Sequence, residues 1–165
     1  MKELPVDVIR SKRRKRTLSA RLIDGRLEVR VPAGMDPDEE AKLVEDLLGR
    51  ARRKISAATV DLGRRATELA IRYRLPRPVS VEWSTRQMRR WGSCTPDEGR
   101  IRISDRLAGM PPWVLDSVLV HELAHLEVAG HGPEFQKLVD RFELTERATG
   151  YLMAVTEGRP GALIG

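Results

Sequence analysis

The sequence holds a single cysteine, Cys94, among 165 residues. No disulfide can form within the chain, so the fold rests on its own core, and a reducing compartment is expected, with the cytoplasm as its address. Aromatic residues make up only 4%, and neither "SKRRKR" nor "RARRK" is interleaved with rings, which leaves a base-stacking platform without support. No run approaches the roughly 20 apolar residues of a transmembrane helix. The opening "MKELPVDVIRSKRRKR" carries charge but no apolar stretch, so neither a secretory signal nor a membrane partner is expected. Histidine is scarce too. All three lie between His121 and His131.

What is present describes an ordinary soluble domain: 41% hydrophobic and 33% charged residues, in a chain long enough to bury a core. The net charge of +6 is unevenly placed. Residues 1–34 carry 10 basic and 4 acidic side chains, residues 50–90 carry 12 and 3, and the remainder carries 8 and 17. The first half is basic and the histidine half acidic. That asymmetry admits a nucleotide or nucleic acid as partner through the basic N-terminal half, although a solvated arginine-rich surface is the plainer reading.

Along the chain, "LSARLI" and "RLEVRVP" flank Asp24-Gly25, which predicts a hairpin, and "VDVIR" offers a third strand. The segment from Asp36 to Ala58 reads as a helix, with Asp36 as N-cap, Pro37 at the first helical position and Glu39 as capping-box partner. Leu43, Leu47 and Ile55, with Leu48 and Ala51 beside them, form its apolar stripe, and arginines crowd its far end, where they suit the helix dipole. A second helix over 60–74 presents Leu62, Ala66, Leu69, Ala70 and Tyr73, and Pro76 and Pro78 stop it. "VSVEW", "RQMRRWGSC" and "IRIS" read as strands, the last two joined by a turn at Pro96, Asp97 and Gly99. Three helices follow, starting at Pro111 or Pro112, at Pro133 and near Thr145. The expected class is α+β: an N-terminal β-hairpin region, two helices, a small antiparallel sheet, then the histidine helix with C-terminal helices.

On a helix, His121 and His125 lie one turn apart on the same face. Two neutral imidazoles so placed can hold one Zn²⁺ with Zn–N bonds of about 2.0–2.1 Å. Glu122 projects about 100° round the helix and can reach a water at the metal without ligating it. His131 follows six residues after His125 and falls on the wrong side if the helix continues. It can join the metal only where the helix breaks. Gly130 is the expected left-handed terminator, and Gly132-Pro133 starts the next helix. Leu115, Leu119, Leu123 and Leu126 form an apolar stripe opposite. Three protein ligands leave a fourth position for water, the arrangement of a catalytic zinc. One Zn²⁺ per chain is expected, held by His121, His125 and His131, with Glu122 as catalytic base.

With "RRWGSC" at 89–94 and "VLVHELAHL…GHGPEF" at 118–135, the chain resembles the YgjP-like metallopeptidase-domain family, relatives of the SprT-like zincins. The opening "RSKRRKRTLSARL…GRLEVRVP" is similar to that family's first hairpin. The resemblance spans nearly the whole chain and implies a zincin-like site at the three histidines with Glu122 as base, and a "WGSC" strand close by. It implies a single domain over 1–158 (hairpin region 1–34, helical segment 36–75, metal-site half 79–158) with a loose tail at 159–165. Gln136 stands where the family commonly has an aromatic residue. The spacing of the histidines also matches metzincins, but Val128 occupies the position of their glycine, and Met153 reads as an apolar position of the last helix.

Within "RRWGSC", Trp91 reads as a core or pocket-wall ring, and Gly92 permits a close backbone approach. Ser93 and Cys94 read as packing or hydrogen-bonding residues, because no histidine remains to activate the thiol. This strand, Trp91 to Cys94, is the candidate for pairing with an extended peptide. Arg89 and Arg90 read as a solvated pair, or as phosphate ligands. Tyr151, Arg100 and Arg102 are all candidates to stabilise an oxyanion, and spacing singles out none. The expectation is therefore a zinc-dependent hydrolase, in first place a metallopeptidase acting on peptide or protein. The alternatives are a metal-dependent nucleoside-triphosphate pyrophosphohydrolase, a label that some family members carry, or a DNA-associated SprT-like protease.

Overall fold

The computed structural model describes residues 4–157, so the tail expected at 159–165 lies outside the described residues. The chain forms two compact units that divide between Ile55 and Ser56, each with its own core.

The first unit is a three-stranded sheet, β1 (Val6–Ser11), β2 (Ser19–Ile23) and β3 (Arg26–Pro32), followed by α1 (Pro37–Ala58). The β2–β3 hairpin closes through Asp24 and Gly25, both left-handed at φ 48° and 76°, as a tight two-residue turn demands. β1 pairs with β3 in parallel, Val6 opposite Leu27, giving the order β1-β3-β2. Period-2 alternation buries Leu27, Val29 and Val31, which pack with Val44, Leu47, Leu48 and Ala51 of α1. Asp36 Oδ1 accepts from the N–H groups of Asp38 and Glu39 at 3.0 and 3.1 Å, capping the helix. Two expectations fail at its far end. Ile55 is 40% exposed, with Val44 supplying the stripe instead. The last turn contains no basic residue, because the helix runs a full turn past its arginines.

In the second unit α2 (Leu62–Tyr73) is capped by Asp61, which accepts from Arg64 N–H at 2.9 Å. It ends on Arg74 at φ 53°, a left-handed residue that is not glycine. Arg141 Nη1 donates to the carbonyls of Tyr73 and Arg74, both at 2.9 Å, which satisfies that helix end from outside. The sheet comprises β4 (Ser80–Ser84), β5 (Gly92–Thr95) and β6 (Arg100–Ser104) in the order β4-β6-β5. It is mixed rather than wholly antiparallel: β5 and β6 form a hairpin, whereas β4 runs parallel to β6. The chain reaches the far edge at β5 before returning to the middle, so β4 and β6 enter from the same end.

The strand expected over "RQMRRWGSC" begins only at Gly92. Its first half is a loop captured by Ser104 and Arg106. Ser104 N–H donates to Trp91 O at 2.8 Å, Ser104 Oγ donates to Gln87 O at 3.0 Å, and Arg106 Nη2 donates to Arg90 O at 2.9 Å. Ser104 is fully buried, and its oxygen also accepts from Arg106 Nε at 3.1 Å. Replacing Ser104 by alanine removes the hydrogen bonds to Gln87 O and from Arg106 Nε together. The expected loss is about 1–3 kcal/mol of stability, read from the denaturant midpoint at unchanged slope.

α3 (Pro112–Ala124) runs through the core. Leu115, Leu119 and Leu123 are buried as expected, but so are Val114, Val118, Val120 and Ala124, so the helix is enclosed on all sides rather than along one stripe. Asp116, 6% exposed, meets Arg65 of α2 fork-on at 2.7 and 2.5 Å. α4 (Pro133–Val139) and α5 (Thr145–Glu157) complete the unit. Among the described residues no helix is long and apolar enough to cross a membrane.

Candidate metal centre

His121 lies in the last turn of α3 and His125 is its C-cap, where His125 N–H still bonds to His121 O at 3.3 Å. The helix stops there. Leu126 and Glu127 N–H close tighter bonds onto Leu123 O and Ala124 O, both at 3.1 Å, and Val128 N–H returns to Ala124 O at 2.9 Å. Gly130 is not the left-handed terminator: Gly25 and Gly99 are the glycines with positive φ among the described residues. The reversal is held instead by Val128 O, which turns back to His125 Nδ1 at 3.0 Å. Gly132, in extended conformation, then caps α4, with Pro133 at its first turn. His131 is thereby fixed at the entrance of α4.

The three Nε2 atoms lie 3.2 Å (His121–His125), 3.1 Å (His125–His131) and 3.3 Å (His121–His131) apart. A carbonyl only accepts, so Val128 O fixes the proton of His125 on Nδ1 and leaves a lone pair on Nε2. Burial lowers the pKa of His125, only partly offset by the Val128 bond, and so favours the neutral ring that ligates metal. Tetrahedral coordination at about 2.0–2.1 Å separates nitrogen ligands by about 3.3–3.4 Å. The nitrogen donor set therefore fits a small divalent cation such as zinc, with three ligand atoms to offer.

Phe135, 2% exposed, forms a floor beneath these rings. Its centroid lies 4.8 Å from His121, 4.4 Å from His125 in a stacked arrangement, and 4.8 Å from His131. Gln136, where an aromatic residue was anticipated, is exposed and donates to Asp140 at 2.7 Å along α4.

Glu122 is 6% exposed, and its carboxyl lies directly against Gly92 at the start of β5. A Cβ built on Gly92 would stand 2.4 Å from Oε1 and 2.8 Å from both Cγ and Cδ. The close approach read from Gly92 is thus made by Glu122. Desolvation pushes the Glu122 carboxyl up to about 8, with the charge of Arg90 acting the other way. A cation at the histidines would add to the Arg90 effect.

The other residues of the strand divide by face. Trp91 is buried, with the Arg106 guanidinium 3.9 Å above its ring. With Gly92, His121, Glu122, Val139 and Thr149 it lines a cavity of about 50 Å³. Burial, and then the charge of Glu122, push the Cys94 thiol up to about 11, so it stays protonated and is no nucleophile at neutral pH. Ser93 turns the other way and accepts from Gln87 Nε2 at 2.6 Å. Of the three oxyanion candidates, Tyr151 packs edge-on to Trp113, Arg100 pairs with Glu98 and Arg102 stands opposite Ser93 on β6.

Phe135 and the Val128 carbonyl escaped the sequence reading. Phe135 follows His131 by one helical turn, a signal legible only once α4 is placed. A backbone carbonyl leaves no trace in residue type.

A model of the YgjP-like metallopeptidase domain matches residues 10–144, a span that includes all three histidines and Glu122. The crystal structure of the metallopeptidase zymogen of Pyrococcus abyssi abylysin is similar in fold. Its TM-score is 0.51 at 20% sequence identity, covering 61% of this chain and 96% of that one. No curated protein sequence matches the chain.

Proposed function

The chain belongs to the YgjP-like metallopeptidase-domain family, and from that premise we propose that it is a zinc-dependent peptidase acting on peptides or proteins. His121, His125 and His131 would hold the metal and Glu122 would act as base. The observation that carries this reading is the convergence of three Nε2 atoms within 3.3 Å of one another, two from the C-terminal end of the helix that also bears Glu122 and one from the entrance of α4. Bound zinc supplies a Lewis acid that polarises a carbonyl and acidifies water.

The protein's own groups do the rest. Glu122 takes the proton from the attacking water and returns it to the leaving amine. Gly92 leaves the room in which its carboxyl sits. β5 is an edge strand, and among the described residues no strand pairs with its outer side. An extended peptide can therefore add there, along Gly92, Ser93 and Cys94, with Trp91 as a buried wall behind them. The lone, protonated Cys94 suits the cytoplasm.

Purified protein should carry about one zinc per chain, and His131→Ala should weaken binding by more than the roughly 10–100-fold that outer partners of a metal are worth. Metal content unchanged in that variant removes His131 from the ligand set. The zinc-loaded enzyme should degrade an unfolded protein and leave nucleoside triphosphates intact. The reverse result turns the reading to a pyrophosphohydrolase.

A further inference from the structure

Arg86, Gln87, Met88, Arg89, Arg90 and Ser93 line an open depression of about 410 Å³ at the head of β5. We propose that this depression is an anion subsite that receives an acidic side chain of the substrate, close to the bond that is cleaved. The inference rests on the peptidase reading above and adds to it a preference that the metal centre does not explain.

Charge comes first. Arg86, Arg89 and Arg90 are exposed, and none of them pairs with an acidic side chain among the described residues. Arg102 stands directly across from Ser93 on β6 and adds a fourth cation, with Glu82 on β4 the acid beside it. Guanidinium groups present a planar fork that matches a carboxylate with two parallel hydrogen bonds.

Rigidity comes second. Unpaired arginines on a loose loop are ordinary solvated surface, but this loop is tied down at three carbonyls. Ser104 holds Gln87 O and Trp91 O, Arg106 holds Arg90 O, and the Gln87 side chain is bonded to Ser93. Backbone order is already present, so less of it is lost on binding.

Position comes third. Gly92 faces Glu122, whereas Ser93, the next residue, faces the arginines. Successive residues of a strand alternate between faces at about 3.3 Å spacing. A peptide laid along β5 alternates in the same way, so a residue adjoining the one at Glu122 presents its side chain to the depression. A nucleic acid fits less well, since no exposed ring lines the depression and Trp91 is buried beneath Arg106.

The test digests an unfolded, alkylated protein with the zinc-loaded enzyme, identifies the cleaved bonds by mass spectrometry, and follows with matched Asp and Asn peptides. Acidic residues should be enriched within two positions of the cut. The Asp-to-Asn ratio of kcat/KM should be about 10 to 100 and fall toward unity in Arg89→Gln/Arg90→Gln. Arg89→Glu/Arg90→Glu should invert the preference toward lysine. Cleavage without acidic preference, or a ratio unmoved by both variants, overturns the subsite and leaves the peptidase reading intact. No cleavage of any peptide overturns both. Competition by single-stranded DNA without any acidic preference on peptides would reassign the depression to nucleic acid.

Discussion

Glu122→Gln should lower kcat by about 10²–10⁴-fold while leaving the zinc in place. Glutamine keeps the size and shape of the side chain, so it still fits against Gly92 and leaves the histidine donors untouched. It cannot accept a proton at the working pH. It also removes a buried ionisable group, so the variant should be at least as stable as the parent. Those three readouts (turnover lost, metal retained, stability retained) separate a missing base from a damaged fold. Full turnover with metal bound would remove Glu122 from the mechanism.

Gly92→Ala should cost about 10²-fold in kcat although position 92 carries no functional group. The new methyl would lie 2.4 Å from Glu122 Oε1, inside any tolerable contact, so the carboxyl must move. Gly92 has an ordinary strand conformation without positive φ, hence alanine meets no backbone strain, and the damage falls on the facing side chain. A shift of about 1 Å in a catalytic group suffices for such a loss. Metal stoichiometry should be unchanged, because the atoms nearest the new methyl are those of Glu122 and the imidazole donors themselves are unaltered. Shortening the base in the double variant Gly92→Ala/Glu122→Asp tests the cause. Gly92→Ala should cost much less in the Glu122→Asp background than in the wild type if the clash is responsible. Wild-type kcat in Gly92→Ala would show that the Glu122 position is not critical.

How much of this was legible depends on how local the signal is. Asp24-Gly25 predicted its hairpin because that turn needs left-handed residues at both positions. Asp36 and Pro133 marked helix starts for equally local reasons. The histidine spacing carried the site, since one helical turn and a forced break are properties of the chain itself. Strand pairing is not local. Nothing in "VDVIR" or "VSVEW" distinguishes a parallel from an antiparallel neighbour, and both pair in parallel. Residues 87–91 have strand-like composition, yet their carbonyls are claimed by Ser104 and Arg106 from elsewhere in the chain. Gly130 was read as the break because glycine is the cheapest way to end a helix. The chain ended it earlier, by tightened bonds and by the Val128 carbonyl bonded to His125.

That turn bears on protein engineering. Transplanting "HELAH" onto a host helix would move two imidazoles and a carboxylate, and would leave behind what orients them. The tautomer of His125 is set by Val128 O, the third imidazole by the cap of α4, and the ring planes by Phe135. The smallest portable module therefore runs from His121 to Phe135, and a graft trimmed at His125 would yield a histidine-bearing helix with no defined geometry to offer a metal.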